Sequence, residues 1–272
     1  TLFPYTTLFR SNYVQLQPVF DHHKTYDKDG KLLYNWGYDP ENYNVPDRQF
    51  AADQKNPVAP ILELKRMIQA YHEAGIGVIM DVVYNHTYSS YSSPFQLSVP
   101  AYYYRMHDNG SFQDGSGCGN ETASEKEMYR KYMIDSLTYW AEEFGVDGFR
   151  FDLASILGRD EDGMPMNNPP LLRSLAYDPL LRNVKLIAEA WDAGGLYQVG
   201  NFPASKRWAE WNGQYRDTMR GYLKGDFWEA NSAAWRICGS GDLYGGYYSE
   251  GNNNYAGYNS CINFLTCHDG FT

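Results

Sequence analysis

Gly148-Phe-Arg-Phe-Asp-Leu-Ala-Ser155 closes an apolar run, residues 146–151, that is broken by a single arginine and ended by a single aspartate. Such a run predicts a short strand buried on both faces of a parallel sheet, with its charges delivered at the carboxyl end. In barrels of parallel strands that rim is where chemistry is kept. Side chains alternate with a period of two, so Arg150 and Asp152 share a face, and the guanidinium is predicted to keep the aspartate ionised. An ionised carboxylate is what a nucleophile requires. A structural ion pair at a strand end is the other use of the same two residues.

Upstream, Ser124 and Glu127 have the spacing of a capping box. They predict a helix through Phe144 that buries Met128, Tyr132, Leu137, Trp140 and Phe144, with Gly145 as its stop. Residues 61–74 repeat Ile61, Leu64, Ile68 and Tyr71 at helical spacing after Pro57 and Pro60. A buried strand over residues 76–83 follows and ends in Asp81-Val-Val-Tyr-Asn-His86, so Asp81, Asn85 and His86 gather at a second strand end. Downstream, residues 184–191 read as another buried strand that carries Glu189 near its end. Trp191 and the apolar lining are predicted to desolvate Glu189 and hold it protonated enough to serve as a general acid. The final run, Cys261-Ile-Asn-Phe-Leu-Thr-Cys-His-Asp-Gly270, predicts a strand whose end carries His268 and Asp269.

The intervening segments are less regular. Residues 13–19 predict a first strand. Asn35-Trp-Gly-Tyr-Asp-Pro40 predicts a turn that presents Tyr38 as a flat platform. Residues 88–123, rich in Ser, Gly, Tyr and Asn, predict a long inserted loop over the mouth of the barrel. Residues 160–168 predict a turn cluster and 170–177 a short helix; 215–222 suggest a further strand and 228–237 a helix. Residues 1–11 resemble the translation of a sequencing-library adapter and are set aside as non-native. The expected organisation is therefore a leading barrel segment over 12–87, the loop region over 88–123, and a second, truncated barrel segment over 124–272.

Composition narrows the functional classes. At 272 residues the chain can bury one large core. A net charge of −10 without any Lys/Arg cluster excludes a phosphate-binding, nucleic-acid partner. No apolar run reaches membrane-spanning length, and neither a membrane partner nor a membrane site is expected. The four cysteines, at 118, 238, 261 and 267, have neither metal-ligand nor disulfide-framework spacing. Aromatic residues make up 17%; their faces suit the apolar faces of sugar rings, but such residues more often simply fill cores.

Strands alternating with helices predict parallel βαβ units in an α/β fold. Four strand ends then present Asp81/Asn85/His86, Arg150/Asp152, Glu189 and His268/Asp269. That set suits retaining glycoside hydrolysis, which needs a nucleophile and an acid/base about 5 Å apart. A metal site is the rival use, but no helical i, i+3 or i, i+4 ligand pair supports one.

These four motifs resemble, in order and spacing, the conserved regions of the α-amylase superfamily, glycoside hydrolase family 13. The resemblance implies an incomplete TIM (β/α)8 barrel, strands two to seven, with Asp152 as nucleophile, Glu189 as acid/base and Asp269 as transition-state stabiliser. It also implies that Tyr38, Asp81, Asn85, His86, Arg150, Trp191 and His268 bind substrate. Asn35-Trp-Gly-Tyr-Asp-Pro40, Tyr102-Tyr-Tyr-Arg105 and the run from Gly115 to Glu125 look like type I pullulanase. Beyond residue 153, Ile156-Leu-Gly-Arg-Asp160, the run from Glu189 to Gln198 and Trp211-Asn-Gly-Gln-Tyr-Arg-Asp217 look like isoamylases and glycogen-debranching enzymes. The likeness changes at Phe149-Arg-Phe-Asp-Leu153, the pattern expected of a chimeric join. Either half implies cleavage of α-1,6 branches in pullulan, amylopectin or glycogen. An α-1,4-acting amylase, a branching transferase or an inactive glucan-binding fragment would carry much the same pattern. No cofactor is expected; calcium, bound by some members, has no assignable ligands. With the true start missing, a cytoplasmic location is only slightly favoured, and the oligomeric state is open. An open barrel predicts a chain that is poorly stable and inactive alone.

Overall fold

The computed structural model describes residues 11–204, 207–245 and 257–269; the adapter-like stretch falls outside these but for Ser11. Six parallel strands form one sheet in the order β1 (Tyr13–Leu16), β4 (Gly77–Val82), β5 (Gly148–Phe151), β6 (Lys185–Ala188), β7 (Trp208–Trp211) and β8 (Cys261–Ile262). Strand order follows chain order, as in a barrel wall, and β1 does not pair with β8, so the barrel is incomplete as expected. Between β1 and β4 lies a small antiparallel ribbon, β2 (Phe20–His22) with β3 (Pro40–Pro46).

Helices connect the strands. Helix α1 (Ala59–Glu73) begins with Pro60 in its first turn and gives way to Gly75, whose φ of +74° suits glycine. Helix α2 (Glu127–Phe144) ends on Gly145 in the left-handed region. Helix α3 (Pro170–Tyr177) precedes β6, and α4 (Gly213–Lys224) and α5 (Ala230–Ile237) lie between β7 and β8.

Strand parity divides the core. Val78, Met80, Val82, Phe149, Phe151, Leu186 and Ala188 point outward and pack with Ile68, Met133, Leu137, Trp140, Phe144, Leu172 and Leu175 of the helices. The opposite parity faces the barrel interior, where Ile79, Ile187 and Trp211 make a small separate cluster. Gly148 belongs to this inner layer. A Cβ there would come within 2.8 Å of Lys185 Cβ and 3.1 Å of Ile79 Cγ1, which explains a glycine opening the decisive strand.

Four expectations are corrected. The run from Cys261 is a strand only over Cys261–Ile262, so His268 and Asp269 lie in the irregular segment after it and not at a strand end. Residues 215–222 are helical, within α4; the strand of that region is β7, whose Trp-Ala-Glu-Trp sequence is too short to register as a periodic run. The capping box does not form: Lys126 occupies the cap position of α2 without a side-chain bond, while Ser124 donates to the Ile156 carbonyl. Met128 is half exposed, and Tyr129, Met133 and Ser136 take the buried face at that end, one residue out of the expected phase.

Gly148→Val should destabilise the chain by about 1–3 kcal/mol, the usual cost of overpacking a filled interior. Urea denaturation against the parent checks this, and an unchanged midpoint would show that β5 and β6 can move apart.

Candidate active site

Register builds the site. Asp81 pairs with Arg150 across β4 and β5, and Phe151 pairs with Ala188 across β5 and β6. Asp152 and Glu189 are therefore the next residues on adjacent strands, and their backbones continue the ladder: the Asp152 amide donates to Val82 O and the Glu189 amide to Phe151 O, each at 3.0 Å. Neighbouring strands are about 4.8 Å apart, so side chains leaving the same rim on the same face are neighbours by construction.

Arg150 is fully buried at the centre. Its Nη1 donates to Asp81 Oδ1 and Oδ2 at 2.8 and 3.0 Å and to Asp152 Oδ1 at 3.3 Å. Nη2 makes an ion pair with Glu189 Oε2 at 2.9 Å. The guanidinium Cζ lies over the Trp211 ring, 4.2 Å from its centroid. Around this centre Asn85 Nδ2 donates to Asp152 Oδ2 at 2.8 Å. His86 contacts Asn85 Oδ1 and the carbonyl of Tyr38. The Tyr38 hydroxyl donates to Asp81 at 2.8 Å and meets His268 Nδ1 at 3.0 Å. Tyr38 is thus turned inward against Asp81, held by its hydroxyl.

The turn after Asp152 is strained. Leu153 has φ 40° and ψ 49°, the left-handed region that a bulky residue rarely adopts. The conformation aims its amide at Glu189 Oε2, 2.8 Å away, and so ties the Asp152 turn to the neighbouring carboxyl.

Burial sets the protonation states. It pushes Glu189 up to about 8, against the lowering effects of Arg150 and the Leu153 amide. The same burial raises Asp81 to about 6, with Arg150 again opposing. His86 and His268 are both lowered by burial and stay neutral near neutral pH. The sequence attributed Glu189's shift to Trp191 and apolar lining; the structure adds a cation in contact, which burial outweighs.

Asp269 stands apart from this knot. Its carboxylate takes Arg216 Nη1 at 3.4 Å and the Cys267 thiol at 2.5 Å, with no hydrogen bond or ion pair to Arg150, Asp152 or Glu189. Burial alone would raise its pKa, but the thiol and Arg216 bring it below the ordinary value. His268, its neighbour, packs on Tyr38 and Trp36 instead. Trp191 stacks on Tyr197 with ring centroids 5.8 Å apart and does not touch the Arg150 cluster through hydrogen bonds.

Several supporting residues carried no signal strong enough in the sequence. Trp211 lies on the strand that was missed. Arg105, buried in the long loop, pairs with Glu121 and Glu125. Arg159 holds Asp192, directly after Trp191, through two bonds at 2.9 and 2.6 Å. The Thr122 amide donates to Asn85 O at 2.9 Å, fastening the loop to the β4 end. Charged residues isolated in a Ser- and Gly-rich loop were the available clue. Among the described residues no group of three His, Cys, Asp or Glu side chains is arranged to hold a metal, and no helix is long and apolar enough to cross a membrane.

No protein-family model matches the chain. Among curated proteins it is 42% identical to isoamylase 3 of rice, a protein named as chloroplastic, over 96% of the chain and 34% of that protein. It is 41% identical to the GlgX homologue of Mycobacterium tuberculosis, named as a glycogen operon protein, over 95% of the chain and 36% of the relative. A pullulanase from Anoxybacillus, solved with maltotetraose, superposes with a TM-score of 0.78 at 37% identity over 98% of the chain and 38% of that structure. The chain thus spans about a third of the length of the relatives it matches. The isoamylase alignment runs through residue 153 into both halves of the chain.

Glu189 yields a test of sign. Its folded pKa of about 8 exceeds the ordinary 4.5, so between those values the fold keeps a proton that the unfolded chain has released. Stability from this group is full below 4.5 and is lost as pH rises towards about 8. Glu210, raised by burial to about 7, has the same sign but its contribution is lost earlier. Glu189→Gln should therefore flatten the decline in unfolding free energy above pH 7. Urea denaturation across that window checks it, and a slope equal to the parent's would locate the proton elsewhere.

Proposed function

From its homology with isoamylases, GlgX proteins and pullulanases, the debranching enzymes of glycoside hydrolase family 13, we propose that this chain is the catalytic barrel segment of a retaining hydrolase that cleaves α-1,6 branches in α-glucans. The observation that carries the reading is the contact of one buried guanidinium, Arg150, with three carboxylates on adjacent strand ends. One of these, Glu189, stays protonated at neutral pH while its neighbour Asp152 is paired with both Arg150 and Asn85.

In this reaction Asp152 attacks C1 of the glucose at the branch as Glu189 gives its proton to the departing O6. The C1–O6 bond breaks, and a covalent glucosyl-enzyme forms with inversion at C1. Glu189, now ionised, takes a proton from water, whose oxygen displaces Asp152 with a second inversion, so configuration is retained overall. Tyr38, Asp81, Asn85, His86, Arg150 and His268 bind and orient the attacked sugar, Trp191 offers an aromatic face beside Glu189, and Asp269 stabilises the charged sugar at the transition state. No step requires a cofactor. A cytoplasmic site of action fits a glycogen-type substrate.

In the full-length enzyme, Asp152→Asn should abolish release of reducing ends from pullulan while leaving the melting temperature unchanged. The alkaline limb of kcat/KM should fall near pH 8, where Glu189 loses its proton. Near-parental activity in Asp152→Asn would remove the nucleophile from this scheme. Faster cleavage of linear amylose than of pullulan would favour an α-1,4-acting amylase or a transferase.

A further inference from the structure

Asp269 follows a two-residue strand and six residues without regular structure, and its side chain is nearly half exposed. Within its own segment the Cys267 thiol donates to it at 2.5 Å. The contact that ties it to a different element comes from the first turn of α4.

Arg216 sits one turn into α4, which Asn212 caps by accepting from the Tyr215 amide at 2.9 Å. Its guanidinium uses two edges for two carboxylates. Nε and Nη2 take Asp217 at 2.7 and 3.2 Å, and Nη1 is left to reach Asp269 at 3.4 Å. Its Cζ lies 5.7 Å from the centroid of the Trp191 ring and 5.6 Å from that of Phe264, within cation–π range of both. Trp191 is two residues beyond Glu189 and is itself backed by Tyr197. Gly213 lets helix and rings approach, since a Cβ there would lie 2.9 Å from the Tyr197 hydroxyl and 3.1 Å from the Trp191 ring. Arg216 therefore reaches from Trp191, just past the strand end that carries Glu189, to the irregular segment that carries Asp269.

We infer that Arg216 is a positioning residue that fixes Asp269 relative to the Glu189 strand end by clamping its carboxylate beside Trp191. The inference rests on the hydrolase reading above, and it adds the reason that a carboxylate on an irregular segment keeps its place. A planar group with donors on separate edges can stack and bind two anions at once, which a lysine ammonium cannot. If Asp269 acts on the sugar mainly as charge develops, releasing it lowers kcat and leaves KM little changed.

The test uses the full-length enzyme with Arg216→Met, which keeps bulk against Trp191 without charge, Arg216→Lys, Asp269→Asn and the Arg216→Met/Asp269→Asn double variant. Arg216→Met should lower kcat by about 10- to 100-fold, the scale of a misplaced catalytic group, with KM within about threefold and an unchanged melting temperature. Arg216→Lys should recover some of the loss. In the Asp269→Asn background Arg216→Met should cost nothing more, because both changes remove one function. Multiplying losses, or a parental kcat in Arg216→Met, would overturn the inference. A crystal structure of Arg216→Met gives an arm independent of turnover: displacement of Asp269 from the Trp191 side supports the clamp, and an unmoved Asp269 refutes it. If the parent fails to cleave pullulan, or Asp152→Asn retains activity, the hydrolase reading fails, and the crystallographic arm still decides the clamp.

Discussion

A single guanidinium, Arg150, is buried in contact with Asp81, Asp152 and Glu189, and the local chemistry follows from its inability to neutralise all three. Ionising every carboxyl would leave uncompensated negative charge in a site from which water is largely excluded. The interior resists that strongly, since isolated buried charge costs several kcal/mol even after relaxation. Protonating one of the three relieves it, and burial selects Glu189, raised to about 8, ahead of Asp81, raised to about 6. Which carboxyl keeps its proton is thus set by the number of cations present as much as by the identity of the acids.

The barrel supplies the geometry that this electrostatic arrangement needs. Alternation sends Val82, Phe151 and Ala188 outward to the helices, and sends Asp81, Arg150 and Asp152 to the opposite side. Parallel pairing in register then sets the charged residues side by side without any loop having to find its place. Gly148 lets β5 and β6 pack closely one layer below. The strained turn at Leu153 points an amide at Glu189, an arrangement that only a well-packed surround can hold. Aromatic residues divide between two tasks. Tyr43, Tyr84, Phe95, Tyr129 and Tyr132 pack with one another under the long loop, while Trp36, Trp191 and Trp211 surround the site.

The long loop after β4 is fastened at several points. Its Arg105–Glu121 pair is buried, its Thr122 amide closes onto Asn85, and Gly115 accepts from the amide of Ala193, just past Trp191. Two separate strand ends are therefore linked through one irregular segment. Arg216 provides a comparable link further round the rim. Both depend on arginines, whose planar forks bind carboxylates and carbonyls from several directions at once.

Sequence alone determined the strands that carry Asp81 and Arg150 and lead into Asp152 and Glu189, three helices to within two or three residues of their ends, and the glycine that ends the second of these. Each rests on interactions local in the chain: apolar periodicity, a proline in a first turn, a glycine where the backbone turns left-handed. It misjudged 215–222, where aromatic and polar residues satisfy two periods at once, and the phase of the 127–144 helix, where Met128 and Tyr129 can each be buried and the Tyr84 carbonyl, which accepts from the Tyr129 hydroxyl, favours the tyrosine. Tertiary structure alone decided that Trp211 lies against Arg150, that Arg150 reaches Glu189 at the end of the next strand, and that Asp269 answers to Arg216 instead of to Arg150. Those contacts join residues separated by dozens of positions, and their distances depend on strand register and helix placement, which no local pattern of side chains encodes.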